Sequence, residues 1–191
     1  HSRLSTFKNI RENCLPPLRQ RNEMLIVGCL MYTFIEDINR FKLFAGEMRK
    51  TTTMFVSNYN HPNLEKAYGK IKIFIEVPKQ NSYSNIDIWY KEILRNLDKV
   101  DKIVMSAGQS TRIVAKRLWE SLKNITLIDA GSVSDMLIMN TDIINTIPQR
   151  GHLRLCEKQI IRNLSELLGY SVTSKLPHGE IKHKRRHIIR R

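Results

Sequence analysis

Asp101–Asp135 reads DKIVMSAGQSTRIVAKRLWESLKNITLIDAGSVSD. A short apolar run, a small-residue turn, an amphipathic segment, a second apolar run and a second turn flanked by acids follow one another. Lys102 to Ser106 predicts a strand, Ser110 to Lys123 a helix and Ile125 to Ile128 another strand. Both turns then fall at the carboxyl ends of strands, where open α/β sheets bind their ligands.

The same alternation extends upstream. From Met24 the run MLIVGCLMYTFI predicts a buried strand followed by a turn. Glu36 to Arg49, with Ile38, Phe41 and Phe44 or Ala45 at three-to-four spacing, predicts a helix. Thr52 to Ser57 is β-branched and apolar, a strand. Pro62 suits the first position of a short helix ending at Tyr68. Lys70 to Val77 predicts a strand stopped by Pro78, and Ile86 to Leu97 a helix. After Asp135 the periodicity weakens until Leu153 to Leu168, a last helix closed by Gly169. Five such alternations predict an α/β fold: a Rossmann-like, mostly parallel sheet of about five strands flanked by helices, with a C-terminal helix and a basic tail. The boundaries expected are an N-terminal arm or helix over residues 1–23, one α/β domain over 24–170 and a flexible basic tail over 171–191.

The chain of 191 residues is long enough for one sizeable core. Its net charge of +14 suits a polyanionic partner, and the location of that charge matters more than its total. Lys175 to Arg191 holds seven Lys or Arg and one acid, Glu180, leaving +8 spread over the body. Cys14, Cys29 and Cys156 are an odd, widely spaced set without a CxxC pair, which points to free thiols and a cytoplasmic setting. No apolar run reaches the ~18 residues of a membrane span, and no signal segment opens the chain. A start at His1 reads as a cut-out domain, a processed form or residual tag sequence.

Ser106-Ala107-Gly108-Gln109-Ser110-Thr111 joins strand to helix with residues small enough for a ligand to approach the backbone. Ser110 or Thr111 can cap the helix, whose positive end suits a phosphate; the alternative is an ordinary turn. Neither GxGxxG nor GxxxxGK[ST] occurs, which excludes a conventional dinucleotide or ATP loop. In Asp129-Ala130-Gly131-Ser132-Val133-Ser134-Asp135, Asp129 at a strand end can accept from a sugar hydroxyl and Asp135 can act as a base. Alternatively Asp129 orders the turn and Asp135 complements a helix dipole. Too few glycines follow Gly131 for a methyltransferase loop. Glu36 and Asp37 are candidate ligands for a divalent metal, or else first-turn residues of a helix. His183 and His187 have i,i+4 spacing but no acidic companion.

Three segments together resemble the GT-D type of glycosyltransferases, which use a nucleotide-sugar donor on a Rossmann-like scaffold. Val77-Pro78-Lys79-Gln80-Asn81-Ser82-Tyr83, with the helix through Trp89 and Leu94, is similar to the family's V-P-x-x-N-[AS]-[YF] turn. Ser106 to Thr111, followed by Val114, Ala115 and Leu118, resembles its small-residue turn and packed helix. Ile128-Asp129-Ala130-Gly131-Ser132 with Asp135 looks like its I-D-x-G-[SH]-x-x-D. The resemblance covers about residues 70–138. It implies that Asn81, Ser106, Gly108, Gln109, Ser110, Asp129, Gly131, Ser132 and Asp135 line a donor or acceptor cleft. It further implies Mn or Mg at the donor diphosphate, and a glycan or other hydroxyl acceptor. The family's Asp-x-Glu motif occurs nowhere in these residues. It lies upstream of His1, is replaced by Glu36-Asp37, or is lost together with catalysis.

The tail HGEIKHKRRHIIRR suits nucleic acid, an anionic membrane surface or an acidic protein face, or is simply a solvated end. The competing expectation is accordingly a non-catalytic module that displays this tail to nucleic acid or to a macromolecular assembly.

Overall fold

Period-two alternation sends neighbouring strand residues to opposite faces of a sheet, so strands apolar at every position must be covered on both sides. This requirement organises the chain. The computed structural model describes residues 26–27, 30–121, 125–147 and 151–177. Four full strands run in parallel: β2 (Thr53–Ser57), β3 (Ile71–Glu76), β4 (Lys102–Ser106) and β5 (Thr126–Asp129). A two-residue strand, β1 (Ile26–Val27), pairs with β5 and completes the order β1-β5-β4-β2-β3.

The sheet thus has four full strands where about five were expected. The Met24 run accounts for the difference. From Leu30 it turns into helix α1 (Leu30–Glu36), which buries Leu30 and Phe34. A continuously apolar run fits a buried strand and a buried helix equally well, because it has no period to separate them. Helix α2 (Ile38–Met48) follows, begun by Asp37, whose side chain accepts from the Arg40 N–H at 2.9 Å. Helix α3 (Pro62–Tyr68) starts with Pro62 and is capped by His61, whose Nδ1 accepts from the Asn63 N–H at 3.1 Å. The remaining helices are α4 (Ile86–Arg95), α5 (Ser110–Ser121), α6 (Val133–Leu137), α7 (Gly151–Leu155) and α8 (Glu157–Leu168). The single C-terminal helix expected from Leu153 is therefore two, broken at Cys156, and α8 ends on the left-handed Gly169.

Two cores result, one on each face of the sheet. Phe55, Val104 and Ile128 point to the first, with Phe34, Phe41, Leu64, Tyr68, Met136 and Leu164 from α1, α2, α3, α6 and α8. Met54, Val56, Ile75, Ile103, Met105 and Leu127 point to the second, under Trp89 and Ile93 of α4 and Val114 and Leu118 of α5. Val172 and Leu176 are buried in the first core, and the Lys175 N–H donates to Met139 O at 2.8 Å. Residues 171–177 thus pack on the body rather than opening the tail. Residues 1–23 and the tail from 178 onward lie outside the described residues, as do Cys14, Cys29, His183 and His187. Among the described residues no helix is long and apolar enough to cross a membrane.

The amino-terminal ends of the strands carry a buried lysine. Lys102 Nζ donates to Met48 O at 2.7 Å and to Thr51 O at 2.8 Å, tying the end of α2 to β4. Burial pulls this amine down to about 8. An unfolded lysine titrates near ~10.4, so between those values the unfolded chain binds more protons and stability rises with pH. The wild-type protein is expected to gain stability from about pH 8 to pH 10 relative to Lys102→Met, measured by urea melts. A constant gap between the two proteins across that window would show that the amine is not destabilised by burial.

Candidate functional site

The strands end level: Ser57 is in register with Ser106 and with Glu76, and Met105 with Asp129. Their following loops therefore form one rim. From β2 the chain moves outward to β3, then returns past β2 to β4 and β5, so the connections diverge between β2 and β4. Divergence leaves a crevice at the carboxyl ends of those two strands. A cleft of about 290 Å³ opens there.

One wall is the loop after β3, Val77 to Tyr83; the other is the turn Ser106 to Ser110. Asn58, Gly131, Asp135 and Ile147 complete the lining. Ser82 clasps the two walls: its Oγ shares a hydrogen bond with Ser110 Oγ at 2.8 Å and donates to Ala107 O at 3.2 Å. Trp89 Nε1 holds the same residue from below, donating to Ser82 O at 3.1 Å. Asn81, beside the clasp, is the one non-glycine residue with positive φ among the described residues, at 52°. Asn tolerates this region better than most residues. Gly108 (φ 64°) turns the opposite wall, and a side chain there would meet nothing within 4 Å, so the backbone is open to a ligand. Helix α5 begins at Ser110, so its positive end faces the cleft.

Asp135 is the one carboxylate among the described lining residues, and Lys79 the one cation. Asp135 is only 4% exposed, in the first turn of α6. Its Oδ1 accepts from Tyr59 Oη at 2.7 Å, and beneath it Tyr68 Oη and Ser134 Oγ share a bond of 3.0 Å. Burial, then the Asp135 charge, push the Tyr59 phenol well above its usual range. Tyr59 therefore remains a proton donor at any working pH and fixes the carboxylate in one orientation.

The structure gathers Asn81, Ser106, Gly108, Gln109, Ser110, Gly131 and Asp135 around this one cleft. Asp129 and Ser132 are not among the lining residues. Asp129 instead orders the turn, its Oδ1 accepting from the Gly131 N–H at 3.0 Å, which sets Gly131 at φ 52°. Burial pushes the Asp129 carboxyl up, offset in part by that N–H and by Arg112. Glu36 and Asp37 are both exposed on the helical corner, with Asp37 capping α2, and neither lines the cleft. Among the described residues no group of three His, Cys, Asp or Glu is placed to hold a metal ion. Glu36 and Asp37 are therefore not brought to the cleft where the Mn or Mg implied by the resemblance would act.

Sequence reasoning missed Asn58, Tyr59, Lys79 and Tyr83. Asn58 and Tyr59 follow β2 at its carboxyl end, the same signal that singled out the turns after β4 and β5, but Asn58-Tyr59-Asn60-His61 reads locally as a polar strand terminator. Comparison with protein-family models, with curated proteins and with solved structures gives no match for this chain.

Proposed function

We propose that this cleft binds a nucleotide-sugar donor and that the protein transfers the sugar to an acceptor hydroxyl, as a Rossmann-like glycosyltransferase. One observation carries the reading: seven residues drawn from three separate segments of the family-like pattern line a single cleft where the strand connections diverge. The chemistry of the lining agrees. Asn81, Gln109, Ser106 and Ser110 offer hydrogen-bonding groups for a ribose or hexose. Lys79 and the positive end of α5 suit a diphosphate.

In the transfer, the acceptor oxygen bonds to the anomeric carbon as the bond from that carbon to the diphosphate oxygen breaks. The acceptor proton passes to Asp135, and the negative charge leaves on the nucleoside diphosphate. Lys79 and the α5 terminus balance that charge; no step is assigned to a metal. A cytoplasmic setting, where nucleotide sugars and free thiols coexist, belongs to the same proposal.

Calorimetric titration with uridine, guanosine and thymidine diphosphate sugars, with and without manganese, is expected to detect binding of at least one. Lys79→Ala is expected to weaken it about fivefold, the loss of one solvent-accessible charge contact of ~1 kcal/mol. Absence of binding for all three would remove the basis of the reading.

A further inference from the structure

We propose that Tyr83 is the stacking platform for the nucleobase of the ligand held in this cleft, an inference that rests on the nucleotide-sugar reading above. Tyr83 is the one aromatic among the described lining residues, and 63% of it is exposed. Its neighbours in the same segment behave differently: Ile86 and Trp89 are buried in the core. Mobility does not account for the exposure of Tyr83, because Ser82 is tied to Ser110, Ala107 and Trp89. Those three bonds prevent the turn Ser82–Asn85 from rolling its tyrosine inward, and the left-handed Asn81 sets the direction in which the turn leaves the cleft wall. The fold thus holds a flat, exposed aromatic ring at the cleft.

The ligand chemistry follows from the kinds of group that line the cleft. Lys79 and α5 select an anionic centre, the amides and hydroxyls select sugar oxygens, and a single aromatic face selects a planar ring. A nucleoside diphosphate carries all three. Stacking of a base on an aromatic side chain tolerates any base identity, because every base presents a π-face. Tyr83 therefore supplies affinity, and the choice among bases falls to the polar groups beside it.

The test compares a nucleoside diphosphate with inorganic pyrophosphate, its base-free counterpart, by calorimetry on the wild-type chain, Tyr83→Ala and Tyr83→Phe. The wild type is expected to bind the nucleotide more tightly than pyrophosphate. Tyr83→Ala should lose at least about tenfold for the nucleotide and nothing for pyrophosphate, with Tyr83→Phe close to wild type. Since Tyr83 is largely exposed, the variants are expected to fold, checked by circular dichroism. Undiminished nucleotide binding by Tyr83→Ala overturns the stacking role and leaves the nucleotide reading intact. An equal loss for both ligands overturns it too, by assigning Tyr83 a purely structural part in the loop. If the wild type binds pyrophosphate but gains nothing from the base, the platform is again rejected; if it binds no nucleotide, both readings fall together.

Discussion

Replacing Gly69 with alanine is expected to lower the melting temperature by about 10 °C or more, the largest loss of stability foreseen for any single exposed or buried glycine here. Gly69 closes α3 at φ 77°, ψ −174°, a region that is essentially restricted to glycine and costs a side chain ~1–3 kcal/mol. Space is lacking as well. A Cβ at this position would lie 2.3 Å from Met48 O and 3.0 Å from the Cα of Arg49, both backbone atoms. Relieving that overlap means moving the end of α2, and overpacking of this kind costs a further ~1–3 kcal/mol. Met48 O is also the acceptor for Lys102 Nζ, so the displacement would loosen the buried lysine that links α2 to β4. The total is a large share of the ~5–15 kcal/mol by which a domain is stable. Gly46→Ala is the control: it lies inside α2 with nothing within 4 Å of the added atom, and is expected to stabilise by ~0.5–1 kcal/mol. Thermal melts followed by circular dichroism decide the matter. A Gly69→Ala melt that coincides with wild type would mean that α2 yields without cost.

Gly69 also marks a limit of what the amino-acid pattern reveals. Part of its need for glycine is local, the positive φ that closes α3; the rest comes from the close approach of α2, a contact between residues distant in sequence that no local signal announces. Features set by local periodicity were legible: Lys102–Ser106, Pro62–Tyr68 and the Gly169 stop stand where the pattern put them. The path from Met24 was not, because an unbroken apolar run lacks the period that distinguishes strand from helix. The same division holds at the cleft. Ser106 to Ser110 was legible as a turn at a strand's carboxyl end, because small residues between an apolar run and an amphipathic segment mark that position. Asp129 and Asp135 look alike in the sequence, two acids in one turn, and only packing separates them. Asp129 is turned back on the Gly131 N–H, while Asp135 is among the residues lining the cleft, its Oδ1 held by Tyr59. Tyr59 itself is 76 positions from its partner, so the pairing exists only once β2 and β5 are in one sheet.

Under the proposed function, Asp135→Asn is expected to lower the rate of sugar transfer by about 10²–10⁴-fold while leaving donor binding unchanged. The substitution is conservative in shape, and its amide oxygen can still accept from Tyr59, so the lining of the cleft keeps its geometry. What disappears is the capacity to take the acceptor proton, which only a carboxylate provides at this position; Asp135 has no second acid beside it among the described lining residues. A loss of rate at constant affinity is the pattern of an interaction made in the transition state. Tyr59→Phe separates orientation from chemistry. It removes the 2.7 Å hydrogen bond but keeps the carboxylate, so the expected loss is smaller, about tenfold, again without a change in donor affinity. The ordering of the two variants is the discriminating result, read by single-turnover transfer with the donor identified by calorimetry. If Asp135→Asn transfers as fast as wild type, the base lies elsewhere and the proton path drawn through the Tyr59–Asp135 pair is wrong. If both variants lose donor affinity instead of rate, the pair serves binding, and the cleft holds its nucleotide without performing the transfer.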